Sequence, residues 1–327
     1  MGLVVVTDHV FPHLDQEREI LAAAGHELRY ERDVRTPEEV RAAVAGADGV
    51  LNCYAPVPGE VIRTMHGCRI IARYGIGLDT IDIPSATELG IVVTNVPDYC
   101  IDEVSDHALA LILALGRGVA LLDRSVRSGS WDPMVARPLH RLRGRTLGLV
   151  GFGRIARRLA EKAAPIGFRV LATDPFVPAA AIEAAGVQPV ELAELLEASD
   201  VVSVHAPMTE ENRHLIAAPE LGRMKPGAFL VNTSRGPLVD LTAVREALEA
   251  AHLGGVALDV LENEPPEPDD PLLRRPDVIV TPHAAFYSEE AMMEQQRKAA
   301  EQVVAALAGE IPAYAVNADA VAARRRD

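Results

Sequence analysis

Leu147-Gly-Leu-Val-Gly151-Phe-Gly153-Arg-Ile-Ala156 decides the fold. Leu147 to Val150 reads as a short buried strand, glycines follow at once, and Ile155-Ala-Arg-Arg-Leu-Ala-Glu-Lys162 continues as a helix. In that context Gly151 permits the tight turn, and Gly153 lets the backbone approach a pyrophosphate resting on the helix N-terminus. Phe152, Arg154 and Ile155 complete the loop, and Ala156 stands at the position that governs helix–strand packing. Asp174 closes the next strand 23 positions after Gly151, near the spacing of about 20 at which an acid takes the ribose hydroxyls. A carboxylate there accepts the 2′- and 3′-hydroxyls of NAD and repels the 2′-phosphate of NADP. Glycines alone are weak evidence, but strand, glycines, helix and acid in register read as an NAD site.

The same alternation extends both ways. Downstream, strands are expected at 169–173, 201–205, 229–232, 255–258 and 278–281, which with 146–150 makes six. Upstream, strands at 3–7, 27–31, 49–54, 69–73 and 91–94 alternate with helices at 15–24, 36–45 and 58–66. Thr36, Pro37 and Glu38-Glu39 form a helix start signal. One long helix is expected over 102–127, buried through its Ala/Leu-rich middle, and a last one over 289–308. The fold class is α/β, with two Rossmann-like doubly wound parallel-sheet domains and a cleft between them.

Bulk properties exclude several functions. A net charge of −15 argues against a nucleic-acid partner. Arg324-Arg-Arg326 reads as a solvated tail. The longest apolar run, Ala108 to Leu115, is far short of the roughly 20 residues of a membrane span, so no membrane association is expected. Met1-Gly2 leads straight into Leu3-Val-Val-Val, without the basic start of a secretory leader. Cys53, Cys68 and Cys100 match no metal or disulfide spacing, so a reducing cytoplasm and no metal are expected.

Three residues carry the chemistry. Phe229-Leu-Val-Asn-Thr-Ser-Arg235 ends in a guanidinium, Gly255-Val-Ala-Leu-Asp259-Val precedes Glu264, and Val278-Ile-Val-Thr-Pro-His283 ends in an imidazole. Open parallel sheets bind ligands at the carboxyl ends of their strands, where these groups can converge. Reducing a ketone with hydride needs a proton donor, and the reverse needs an acceptor; His283 suits both near neutral pH. Glu264 can bond the other ring nitrogen, fixing the tautomer and raising the imidazole pKa. Arg235 offers a fork for a substrate carboxylate. Asp259 is placed to contact the nicotinamide amide or to tune His283. His205 lies at a strand end beside the cofactor, whereas His107 and His214 read as ordinary polar residues.

These residues resemble the D-isomer-specific 2-hydroxyacid dehydrogenase family. The matching segments are Arg73-Tyr-Gly-Ile-Gly-Leu-Asp79, 147–155, Asn232-Thr-Ser-Arg-Gly236, Ala257-Leu-Asp-Val260 and Thr281-Pro-His-Ala-Ala285. The resemblance implies a flavodoxin-like substrate domain over 1–100 and 287–327, an NAD-binding Rossmann domain over 101–286, an active site in the cleft, and a homodimer through the NAD domain. It adds Ala206, Pro207, Asn212, Thr233, Ser234 and Ala285 to the cofactor residues. It implies substrate contacts from Tyr54, Arg73, Tyr74, Gly75, Ile76, Gly77 and Phe286. Asn95-Val-Pro-Asp98, Glu103-Val-Ser-Asp106, 141–148 and Thr281 to Glu289 are most similar to the C-terminal-binding-protein branch, although Phe286 stands where animal corepressors of that branch carry tryptophan. The activity implied is NAD-dependent reduction of a small 2-oxo acid; the alternative is an NAD(H)-sensing, corepressor-like binding protein.

Overall fold

Leu3-Val-Val-Val6 forms the first strand of one parallel sheet. In chain order the first unit runs β1 (Leu3–Val6), α1 (Asp15–Ala23), β2 (Glu27–Arg29), α2 (Pro37–Ala43), β3 (Gly49–Asn52), α3 (Gly59–Ile62), β4 (Ile70–Arg73), α4 (Ile83–Glu88) and β5 (Val92–Thr94). This computed structural model describes residues 1–324, so Arg325 and Arg326 of the basic tail lie outside the described residues. Among the described residues the chain divides into two compact units, 1–100 with 288–324, and Ile101–Tyr287. Tyr287, expected in the first unit, falls in the second.

The first sheet has the order β2-β1-β3-β4-β5, all parallel. Every residue of β3 and β4 is buried, as strands covered on both faces require. A reciprocal capping box starts α2: Glu39 N donates to Thr36 Oγ1, and the Glu39 carboxylate accepts the Thr36 N–H. Helix α3 stops well before the expected end at His66; Thr64 donates its hydroxyl to Val61 O at 2.7 Å, a local bond that competes with helix. Helix α4 was not expected. Asp82 caps it by accepting from Ser85 N, and six residues are too few to show a helical period.

The order 2-1-3-4-5 places a switch point between β1 and β3, where doubly wound sheets bind ligands. Asp8 fills it. Its carboxylate accepts the N–H groups of Cys53, Tyr54 and Ala55 at 3.0, 2.6 and 3.1 Å, and the Thr7 hydroxyl at 2.8 Å. A buried anion there repels phosphate, so this switch point holds its own loop rather than a nucleotide.

The second unit runs α5 (Ile101–Arg117), α6 (Val119–Arg127), β6 (Thr146–Val150), α7 (Arg154–Ala163), β7 (Arg169–Thr173), α8 (Ala179–Glu183), β8 (Gln188–Pro189), α9 (Leu192–Ala198), β9 (Val201–Val204), α10 (Ala218–Arg223), β10 (Ala228–Asn232), α11 (Leu241–Glu249), β11 (Leu253–Leu258) and β12 (Val278–Val280). Its seven strands are all parallel in the order β12-β11-β10-β9-β6-β7-β8. Counted from β6 this is the 3-2-1-4-5-6 order of a dinucleotide-binding sheet with one further strand on the β12 side. The strand missed from sequence is β8, only two residues long.

The helix expected over 102–127 is two helices. Gly118 has φ 64°, a left-handed conformation that glycine adopts without strain, and it ends the first. Val104, Ala108, Leu111, Ile112 and Leu115 of α5 are buried. The expected buried middle thus lies in α5, and no residue of α6 is buried.

The chain then returns to the first unit as α12 (Glu289–Leu307) and α13 (Ala318–Arg324). Ser288 caps α12 by accepting from Ala291 N at 2.9 Å. Helix α12 packs on α1, β3 and β4, and Gln296 Nε2 donates to both oxygens of buried Glu17. Tyr74 donates its hydroxyl to the same carboxylate at 2.9 Å and is 1% exposed. The Tyr74 side chain, expected at the substrate pocket, therefore belongs to this core network. Among the described residues no helix is long and apolar enough to cross a membrane.

Replacing Asp8 with Ala strips three backbone donors of their acceptor at once. Urea unfolding of Asp8→Ala should show a loss of about 3 kcal/mol, and Asp8→Asn, which keeps one acceptor oxygen, a smaller one. An unchanged midpoint in Asp8→Ala would remove Asp8 as the anchor of the Tyr54 loop.

Candidate active site

The side chain of Asn232 folds the turn at the end of β10. Its Oδ1 accepts from Ser234 N at 3.0 Å and its Nδ2 donates to Arg235 O at 2.8 Å. Arg235 Nη1 in turn donates to Ser234 O at 2.8 Å. Gly236 comes next, and a Cβ there would lie 1.9 Å from Leu261 O. Only glycine lets the backbone after Arg235 rest on the backbone that leads to Glu264. Leu261 N donates to Glu264 Oε1 at 2.9 Å, curling the carboxylate back, and Glu264 Oε2 meets His283 Nδ1 at 2.7 Å. Burial works to raise the Glu264 pKa, but the hydrogen bond and charge of His283, the Leu261 N–H and the charge of Arg235 outweigh it. The net shift is downward.

His283 has φ 52°, a left-handed conformation unusual for a non-glycine residue and frequent at functional sites. Its N–H donates to Asp259 O at 2.8 Å. Asp259 Oδ1 accepts from Ala284 N at 2.9 Å and from the Thr281 hydroxyl at 2.5 Å, and Oδ2 accepts from Ala285 N at 2.9 Å. The Phe286 ring stands edge-on to His283, centroids 6.2 Å apart. The groups expected from separate strands are thus linked: Arg235 to Glu264 by charge, Glu264 to His283 by a hydrogen bond.

The glycine loop lies at the switch point between β6 and β9. Gly151 has φ 93°, and a Cβ on it would lie 2.6 Å from His205 O. Nothing stands within 4 Å of a Cβ built on Gly153, so a side chain there would fill open space. Asp174 Oδ2 accepts from Phe152 N at 2.8 Å and Oδ1 accepts from Phe176 N at 2.8 Å. Asn212 shapes the loop after β9: Nδ2 donates to Pro207 O and Oδ1 accepts from Thr209 N. Thr233 Oγ1 is buried with no hydrogen-bond partner among the described residues. A tight glycine turn with open space at Gly153, a half-buried acid after β7 and an orphaned hydroxyl fit a dinucleotide.

Phe152, Asp259 and Ala285, expected to touch cofactor, are buried, as are Gly151 and Thr233. Phe152 gives its ring to the core and its N–H to Asp174. Asp259 spends its carboxylate on the turn that carries His283, and Ala285 is part of that turn. They shape the site from beneath.

In the first unit, Arg73 ends β4 and is 8% exposed. Its guanidinium lies on Gly75, where a Cβ would be 1.6 Å from Nη1, and over the Tyr54 ring at 5.7 Å. Arg73 Nε has no hydrogen-bond partner among the described residues. Asn95 Nδ2 donates to Ile76 O at 2.7 Å and Val96 N to Gly75 O at 2.9 Å, fixing the Gly75–Gly77 backbone. Two residues escaped the sequence reading. Asp8 has no motif around it, and His107 looks like any polar residue on a helix.

Residues 109–285 match the model of the D-isomer specific 2-hydroxyacid dehydrogenase NAD-binding domain. This chain belongs to the D-isomer-specific 2-hydroxyacid dehydrogenase family. As a member it is an NAD-dependent oxidoreductase acting on the CH–OH group of D-2-hydroxy acids. It is 42% identical to a glyoxylate reductase of Korarchaeum cryptofilum, over 82% of each chain. It is 39% identical to a D-3-phosphoglycerate dehydrogenase of Archaeoglobus fulgidus, over 82% of this chain and 51% of that protein, so it spans about half of that relative. The crystal structure of the TT0316 protein from Thermus thermophilus is similar at a TM-score of 0.86 and 35% identity, covering 96% of this chain and 99% of that one.

In this dehydrogenase His205 stands beside the NAD loop, with Nε2 at 2.8 Å from Ser203 Oγ. His205 is half-buried, and desolvation pushes its pKa down to about 4. An unfolded histidine titrates at about 6.5. As pH falls, the unfolded chain takes up this proton first, so the contribution is full above about 6.5 and declines toward 4. Thermal midpoints measured across this window should fall less steeply in His205→Gln than in the parent. Parallel curves would show that His205 is not held neutral by the fold.

Proposed function

We propose that this enzyme reduces a small 2-oxo acid to the D-2-hydroxy acid with NADH, His283 giving the proton to the ketone oxygen and taking it back in the reverse direction. The 2.7 Å bond between His283 Nδ1 and Glu264 Oε2 carries the reading. Glu264 is held ionised by its low pKa and accepts the Nδ1 proton, which makes Nε2 the atom that exchanges a proton with substrate. Arg235 holds the substrate carboxylate through its planar fork. Bound NADH supplies the hydride that adds to C2. Gly151, Gly153, Arg154 and Ile155 would hold its pyrophosphate, Asp174 its adenosine ribose, and His205, Ala206, Pro207, Asn212, Thr233 and Ser234 the remainder.

Tyr54, Arg73, Gly75, Ile76, Gly77 and Phe286 complete the substrate set. A buried guanidinium with an orphaned Nε is costly unless an anion joins it. Arg73 and Arg235 together suit a dianionic 2-oxo acid, with a carboxylate and a second acidic group such as phosphonate or carboxylate. The relatives named above are a reductase and a dehydrogenase, and a paired Glu264–His283 favours turnover over a purely NAD(H)-sensing, corepressor-like role.

NADH oxidation against pyruvate, glyoxylate, hydroxypyruvate, phenylpyruvate, oxaloacetate and phosphonopyruvate should show turnover that His283→Ala lowers at least about 100-fold. The dianionic acids should lead, and Arg73→Ala should raise their KM about tenfold or more. Full turnover in His283→Ala would sink the proton-donor assignment; equal turnover of pyruvate and phosphonopyruvate would sink the dianion.

The same reading places the enzyme in the cytoplasm as a homodimer through its NAD-binding domain. The three cysteines are buried and form no disulfide among the described residues, which suits a reducing compartment. Helix α6 buries none of its residues; Val119 and Val126 on it are exposed, as are Trp131, at 88%, and Met134 shortly after it. Exposed apolar side chains concentrated in one stretch suit an interaction surface. Sedimentation should report a dimer for the parent and a shift toward monomer for Trp131→Asp; an unshifted dimer would move the interface elsewhere.

A further inference from the structure

We infer that His107 is a positioning residue for proton transfer at His283, acting through Thr281 and Asp259. The inference rests on the proposed role of His283.

His107 lies on α5, one-quarter exposed, with Nε2 at 2.9 Å from Thr281 Oγ1. The Thr281 hydroxyl has a single proton. It stands 2.5 Å from Asp259 Oδ1, a carboxylate oxygen that can only accept. Thr281 therefore donates to Asp259 and accepts from His107, which fixes the His107 proton on Nε2. The hydroxyl thus links imidazole to carboxylate, and the same Nε2 also lies 3.5 Å from Asp259 Oδ1, which strengthens the tie.

That carboxylate also grips Ala284 N and Ala285 N, the two amides directly after His283. Thr281 stands two residues before it. The clamp thus holds both sides of a residue whose φ of 52° is strained for a non-glycine side chain. A turn held against strain relaxes when one of its ties is cut. His107 supplies the tie from a different element, keeping the Thr281 hydroxyl from rotating off Asp259. Without it the turn loosens and Nε2 of His283 moves. Proton transfer is steeply sensitive to such a displacement, and a shift of about 1 Å can cost on the order of 100-fold. The glycine loop and Arg235 stand on β6 and β10, so binding of NADH and of the substrate carboxylate should be little affected. An ordinary polar helix residue at 107 would alter stability alone and leave this split unseen.

The test compares the full-length parent with His107→Ala, His107→Gln, Thr281→Val and His283→Ala, using NADH and glyoxylate and reading kcat and both KM values. His107→Ala should lower kcat about tenfold or more with both KM values within about threefold. His107→Gln, whose amide can still donate to Thr281, should recover most of that loss. The double variant His107→Ala/Thr281→Val should be no slower than Thr281→Val, because both cut the same link. Should His107→Ala fail to fold, His107→Gln with Thr281→Val reads the link from its two ends. A kcat in His107→Ala within twofold of the parent, equal losses in the Ala and Gln variants, or multiplying losses in the double variant would each overturn the inference. Loss of turnover in His283→Ala but not in His107→Ala overturns only the role of His107. Retained turnover in His283→Ala takes both down.

Discussion

The site hangs on one buried carboxylate. Asp259 closes β11 and accepts two backbone amides and a hydroxyl from the segment that follows β12. A carboxylate enclosed in protein costs free energy unless its lone pairs are taken up. Here the donors that take them up are those that must be ordered for His283 to stand in a left-handed turn. Desolvation and local strain, each unfavourable alone, are relieved by the same bonds. Glycine does the complementary work where backbones must touch: Gly236 against Leu261, and Gly151 against His205.

The two units solve one problem in the same way. In the first, Asp8 after β1 grips the amides after β3; in the second, Asp259 after β11 grips the amides after β12. Both exploit the alignment of carboxyl ends along one edge of a parallel sheet, where a side chain from one strand meets the loop of its neighbour. The difference lies at the switch points. Asp8 closes the first, and Gly153 leaves the second open for a phosphate-bearing ligand.

Much of this was legible in the sequence, for reasons tied to particular residues. The strands of both sheets show as short apolar runs because they are buried on both faces. The Gly151 loop and Asp174 carry a motif with mechanical meaning, and Arg235, Glu264 and His283 stand out as polar groups ending apolar runs. What was not legible depends on direction in space. Helix α4 and strand β8 are too short to show a period. The break at Gly118 hides because one glycine in an Ala/Leu-rich stretch is compatible with continued helix. Tyr74 sits in a motif but points to Glu17, and nothing local reveals that a helix more than 200 residues downstream supplies its neighbour Gln296. His107 shows the same limit, since its partner lies 174 residues away.

That distant tie has a bearing on how the protein is made. Glu17 waits for a donor 279 positions later, and α1, β3 and β4 wait for the apolar face of α12. A growing chain on the ribosome therefore carries an unfinished first unit throughout synthesis of the second. The second unit, continuous from Ile101 to Tyr287, can complete its sheet first. Only when α12 emerges can the earliest residues translated be sealed. The N-terminal segment is then the last part of the nascent chain to become safe from proteases and from its neighbours on the same message.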